Sequence, residues 1–158
     1  NNMFTHIYPS SVNAFLLPIL LGFSTILAGG VMDRFPNLRI GFLEAGCNWI
    51  HFSLDRLDHR YKNALTRIYP QLAPQAQASP MDYIKRGNIY LSAEAEDALL
   101  PQVVDLIGEG QILFGSDMPH SDREITSGEI LNLRSDLSES VKHKILMENP
   151  GRFYDIPI

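Results

Sequence analysis

The chain has 158 residues, 45% of them apolar and 20% charged, an ordinary globular composition that makes one folded domain over residues 1–158 the expectation. A net charge of −5 with only 13 Lys and Arg, never gathered into a stripe, argues against a nucleic-acid surface and leaves a small molecule as the expected ligand. A single cysteine, Cys47, excludes an internal disulfide framework and fits a reducing, cytoplasmic setting.

The chain opens Asn1-Asn2-Met3, with no basic segment and cleavage site behind it. Residues Ala14 to Met32 carry no charge, a run just long enough to raise a membrane span. Pro18, Gly22, Ser24, Thr25, Gly29 and Gly30 dilute it, so a buried helix packed on several sides, started or kinked at Pro18, is the expectation, with no membrane partner.

Leu38 to Leu43 reads as a strand ending at Glu44-Ala45-Gly46. Asn48 then precedes a helix whose apolar stripe is Ile50, Leu54, Leu57 and Tyr61. On its other side His51, Asp55 and His59 have a spacing that could ligate a metal, although a solvated face explains them better. Residues 69–80, rich in Pro, Gln and Ala, read as a loop. A short helix from Pro80 stops at Gly87, and Asn88 to Leu91 forms a strand that leads into acids between Ser92 and Asp97. Leu99 to Ile107 is helical in pattern and closed by Gly108.

The third strand, Ile112 to Phe114, runs into Gly115-Ser116-Asp117-Met118-Pro119-His120. Asp117 stands where parallel α/β folds place their chemistry, or else it caps a helix. A helix from about Glu124 and another from Ser138 to Glu148 follow, the second ended by Asn149-Pro150-Gly151. Alternation of this kind predicts parallel strands with right-handed crossovers, so Glu44, Glu94 and Asp117 should share one edge. Phosphate loops, Gly-x-Gly-x-x-Gly, Cys-x-x-Cys and Gly-x-Ser-x-Gly are absent from the sequence.

Arg34 to Trp49, Leu54-Asp55-Arg56-Leu57-Asp58, Gly115 to His120 and the ending Asn149 to Tyr154 resemble, in order, the amidohydrolase-related branch of the amidohydrolase superfamily, which includes the aminocarboxymuconate semialdehyde and resorcylate decarboxylases. The resemblance implies the C-terminal part of a metal-dependent hydrolase (β/α)8 (TIM) barrel, about three parallel strands with flanking helices. It also implies one divalent metal, usually zinc, in the complete enzyme. Asp117 matches the strand-eight Asp that binds metal or moves protons, and Glu44 stands where many relatives carry a strand-six His. Trp49 and Arg56 match positions that shape the pocket, where a guanidinium could pair with a substrate carboxylate. Core packing for Trp49 and a surface or helix-anchoring role for Arg56 stand beside those readings. His120 either contacts substrate or fixes its loop, and His6 falls where a fifth-strand ligand could lie.

The sequence departs from that pattern in having no His-x-His among His6, His51, His59, His120 and His143, and a whole barrel takes about 250 residues. The expectation is therefore metal binding that is weak or absent in this chain alone, and no activity without the missing ligands. Hydrolysis is the first reading of the complete site. Non-oxidative decarboxylation, and a non-catalytic half-barrel acting by self-association or partner binding, are the alternatives. An open sheet and an apolar helix predict a homo-oligomer.

Overall fold

The computed structural model describes residues 6–62, 75–118, 120 and 126–158. Three parallel strands, β1 (Ile40–Phe42), β2 (Ile89–Ala93) and β3 (Ile112–Phe114), lie in the order β1-β2-β3. Ile40 pairs with Ile89 and Phe42 with Leu91, while Leu91 pairs with Ile112 and Ala93 with Phe114. The expected strands and their common direction are present. Each crossover carries helices, so the strands' C-terminal ends fall together.

Two short helices precede β1 where one long one was expected: α1 (Ile7–Ala14) and α2 (Leu16–Ala28), followed by the single turn α3 (Val31–Arg34). Pro18 has no N–H to give the carbonyl of Ala14, and the helical ladder is interrupted at that carbonyl. The expectation of burial on several sides is corrected, because in α2 only Phe23 and Leu27 are fully buried while Leu21 is 70% exposed. By length and composition Ile7–Ala28 is apolar enough to cross a membrane, with mean hydropathy 1.9. Its Phe23 nevertheless packs edge-on against Phe42 and Trp49, with ring centroids 5.2 and 5.1 Å apart, which makes the helix part of this domain's core.

Helix α4 (Ile50–Lys62) buries Ile50 and Leu54, the start of the stripe read from the sequence. In α5 (Pro80–Lys85) Pro80 sits in the first turn and the Ser79 hydroxyl accepts from the Asp82 N–H at 3.2 Å, an N-cap in good order. Tyr83 is fully buried and ties α5 to α3: its hydroxyl donates to the Asp33 carboxylate and accepts from the Gln77 and Ala78 amides at 3.0 and 3.2 Å. The Arg86 guanidinium stacks 4.5 Å over the Tyr83 ring and lies 3.3 Å from Asp33. Partial burial works to raise the Asp33 pKa, but the Tyr83 hydroxyl, the Gln77 amide and Arg86 together hold it below the ordinary carboxylate value.

Helix α6 (Leu100–Ile107) returns to β3, and α7 (Ser127–Leu133) and α8 (Glu139–His143) complete that layer. The loop residues 69–74 and the expected helix start near 124 lie outside the described residues. Beyond α8 the chain does not stop at Asn149-Pro150-Gly151 as expected. It widens into a π-helix, Lys144–Glu148, and continues as α9 (Asn149–Tyr154). Asn149 is completely buried: its amide donates to the carbonyls of Glu109 and Ile112 at 2.7 and 2.8 Å, and its oxygen accepts from Arg152 at 2.9 Å. The residue anchors the tail rather than ending it.

The sheet separates two environments. Ile89, Leu91, Ala93 and Ile112 face the helical layer and form the core with Leu27, Ile50, Leu54 and Leu100. Gly41, Tyr90, Ser92 and Leu113 belong to the other face. Phe153 of α9 rests on Tyr90 with ring centroids 4.9 Å apart, and a β-carbon at Gly41 would come within 2.9 Å of its ring. Tyr90 is consequently only 1% exposed, so the tail covers much of the face that was expected to lie open.

Candidate active site

At the C-terminal ends of the strands lies a cleft of about 230 Å³. β1 and its turn contribute Leu43 and Glu44, β2 contributes Ser92 and Glu94, β3 contributes Leu113 to Gly115 and then Asp117, and the tail contributes Pro150 and Tyr154. The three strand-ending acids thus meet at one edge, as the alternating pattern requires. Glu44 and Asp117 have φ of 68° and 54°, and with Asp155 they are the non-glycine residues of positive φ among those described. Left-handed backbone costs an ordinary side chain about 1–2 kcal/mol, and such residues concentrate at functional sites.

Asp117 has an immediate partner. The His120 Nδ1 lies 3.0 Å from its Oδ1, and the His120 N–H donates to the Asp117 carbonyl at 3.0 Å. The imidazole is 65% exposed and the carboxylate 27%, so the pair joins the cleft to solvent and a proton can pass between them.

The turn after β1 is fastened at successive backbone groups. The Glu44 N–H donates to Ser92 Oγ at 3.2 Å, the Gly46 carbonyl accepts from Trp49 Nε1 at 2.9 Å, and the Cys47 N–H donates to Asp97 Oδ2 at 3.0 Å. The same Asp97 oxygen accepts from the Glu94 N–H at 2.9 Å. Cys47 is fully buried, and burial followed by the nearby Asp97 carboxylate pushes its thiol far above the usual range. It is a core thiol.

Three residues proposed from the resemblance do not reach this cleft. Trp49 is 9% exposed and packs edge-on with Phe23 and Phe42. Arg56 is exposed on α4, and His6 is exposed ahead of α1 without a side-chain capping bond. His51 lines a separate cavity with Leu54, Asp55, Asp58, Met81 and Leu106. Among the described residues no group of three or more His, Cys, Asp or Glu is arranged to hold a metal ion. The cleft offers carboxylate oxygens from Glu44, Glu94 and Asp117, donors that suit manganese or magnesium better than zinc, but they do not complete a site.

Sequence reasoning did not single out Ser92, Asp97, Pro150 or Tyr154. Pro150 and Tyr154 reach the cleft through the turn of the tail, which periodicity does not reveal. For Asp97 the available signal was the acid-rich run after β2 opposite Gly46.

Residues 23–156 match the amidohydrolase family. The chain belongs to that family. A curated member, 2-amino-3-carboxymuconate-6-semialdehyde decarboxylase of Dictyostelium discoideum, is 28% identical over 133 residues, covering 84% of this chain and 35% of the relative. A solved amidohydrolase from Mycobacterium avium subsp. paratuberculosis superposes with a TM-score of 0.76 at 23% identity, over 98% of this chain and 36% of that one. The 2,6-dihydroxybenzoate decarboxylase from Rhizobium gives 0.66 at 25% identity, over 87% and 41%. A dihydroxybenzoic acid decarboxylase from a Polaromonas species, solved with manganese and 2-nitroresorcinol, gives 0.64 at 20% identity, over 87% and 40%. This amidohydrolase chain therefore spans little more than a third of the length of such relatives. Its three strands are part of the TIM barrel those proteins share.

Proposed function

We propose that this chain supplies the strand-six and strand-eight acids of a non-oxidative decarboxylase acting on a small aromatic or unsaturated carboxylate. The observation that carries the proposal is the convergence of Glu44 and Asp117 on one cleft at the strands' C-terminal edge. Decarboxylation is favoured over the hydrolysis first expected because the related proteins that are named for a particular substrate are decarboxylases. In such a reaction the bond from the ring carbon to the carboxylate breaks, carbon dioxide leaves, and a proton takes its place on that carbon. Asp117, hydrogen-bonded to an exposed imidazole, is suited to deliver that proton and to be recharged from solvent through His120. Glu44, held apart from Asp117 by the width of β2, is suited to orient a substrate hydroxyl or an incoming water. A divalent metal of the kind found with the relatives, manganese in several structures, would take ligands beyond the described residues.

The test uses the protein at the length its source produces, supplied with manganese, against hydroxybenzoates and a muconate carboxylate beside amide and ester panels. Release of carbon dioxide that Asp117→Asn abolishes is the expected result. Hydrolysis without carbon dioxide would restore the hydrolase reading.

A second reading, self-association, is favoured by a separate observation: Ile7, Tyr8 and Leu21 are 87%, 78% and 70% exposed on α1 and α2. The outer edges of β1 and β3 have no strand partner among the described residues. A homodimer through that helical face is the proposed form, and light scattering across a dilution series that shows only monomer would eliminate it.

A further inference from the structure

Asp97 precedes α6 and would ordinarily be taken for its helix cap. Its side chain does something else. The N-cap of α6 is Leu99 and no side chain caps that helix. The Asp97 carboxylate, 9% exposed as a residue, instead turns away and accepts the Cys47 N–H from the turn after β1 and the Glu94 N–H from the turn after β2. Gly46 is shaped to receive it: the glycine has φ of +58°, and a β-carbon there would lie 2.7 and 3.0 Å from the two carboxylate oxygens. The approach is possible only because position 46 lacks a side chain. From the other side the Arg134 guanidinium donates to the carbonyls of Ala95 and Asp97 at 3.0 and 2.7 Å while pairing with Asp136 at 2.7 Å. The loop that carries Asp97 is thereby pinned, and the carboxylate's position with it.

We propose that Asp97 is a positioning residue, whose buried carboxylate joins the turns after β1 and β2 and so sets Glu44 and Glu94 on the cleft. The inference rests on reading the cleft as the proton-handling site, and it concerns a residue that touches no reacting atom. A charge-assisted bond to each turn is stronger and shorter than a neutral one, which suits a brace between two loops that each bear an acid.

The experiment compares the wild-type chain with Asp97→Asn, Gly46→Ala and the double variant. Asparagine keeps the size and one acceptor oxygen but loses the charge, and alanine at 46 displaces the carboxylate while leaving it in the protein. Two readouts are taken: NMR of the Glu44, Cys47, Glu94 and Asp117 amides, and carbon dioxide release in the assay above. Each single variant is expected to move the Glu44, Cys47 and Glu94 amides while leaving that of Asp117 in place. Turnover should fall between about tenfold and a hundredfold with little change in KM, the scale of a small misplacement. The double variant should be no worse than either single one, since both act on one contact. Folded variants whose Glu44, Cys47 and Glu94 amide resonances superpose on the wild type, whatever their melting temperature, would overturn the proposal. Absence of turnover in the wild type would defeat the functional reading alone and leave the NMR result to decide on Asp97. If Asp97→Asn does not fold, Gly46→Ala carries the same comparison.

Discussion

Glu44 and Asp117 stand at the ends of the two strands that flank β2, both in left-handed backbone, and both line the cleft that β2 floors. Evolution of a stable loop would put glycine or asparagine at such positions. Glutamate and aspartate there exchange backbone comfort for a carboxylate at the cleft. Glu44→Gly and Asp117→Gly should accordingly leave the protein within about 1 kcal/mol of wild-type stability or slightly above it, since relief of strain offsets the added freedom of the unfolded chain. The same variants should lose the cleft chemistry. Chemical denaturation beside the decarboxylation assay measures both, and a large destabilisation would show that the side chains are structural.

The Asp33 and Tyr83 bond makes a pH-dependent contribution whose sign is fixed by the lowered Asp33 pKa. A carboxyl held below its unfolded value stabilises the fold fully above about pH 4, and that stability fades as pH falls through the folded pKa. Tyr83→Phe removes the donor to Asp33 and the acceptor of two amides, so at pH 7 it should cost about 2–4 kcal/mol. The gap between wild type and variant should narrow below pH 4, measured by urea unfolding at stepped pH.

Cys47 should be inert in the folded protein. With the thiol fully buried and its ionisation suppressed by burial and by Asp97, a thiol reagent should label it only as fast as the domain opens, and at once in denaturant. Fast labelling under native conditions would mean that the turn after β1 opens locally.

Asn149→Ala should be among the more damaging single changes, about 2–4 kcal/mol, because it strips two buried carbonyls of their donor and leaves a cavity between β3 and the tail. Asn149→Asp keeps the shape but replaces the donor with a charge, and should be at least as harmful. Thermal melts of the two variants test the anchor.

These results show where the chain is legible and where it is not. The apolar runs closing on Glu44, Glu94 and Asp117 disclosed the sheet and its edge, since alternation with helices leaves few topologies. Burial of α2 was misjudged because composition reports how apolar a helix is and not how much neighbouring surface exists to cover it; Leu21 stays exposed for want of a partner. Asn149 resembled a helix stop because Pro150 follows, yet the wide turn at Lys144–Glu148 absorbs the proline and the amide becomes an anchor. Asp97 was unremarkable as an acid in an acidic loop. Only the approach of Gly46, distant in sequence, distinguishes it from a solvated one.

The position of Phe153 bears on how this chain would join the remainder of a barrel. Its ring lies against Tyr90 and Gly41, on the face that a closed (β/α)8 barrel fills with side chains from its other strands. The ring therefore takes part of the volume on that face of the sheet. The aromatic ring shields the second face of the three strands from water, and Phe153→Ala should uncover Tyr90.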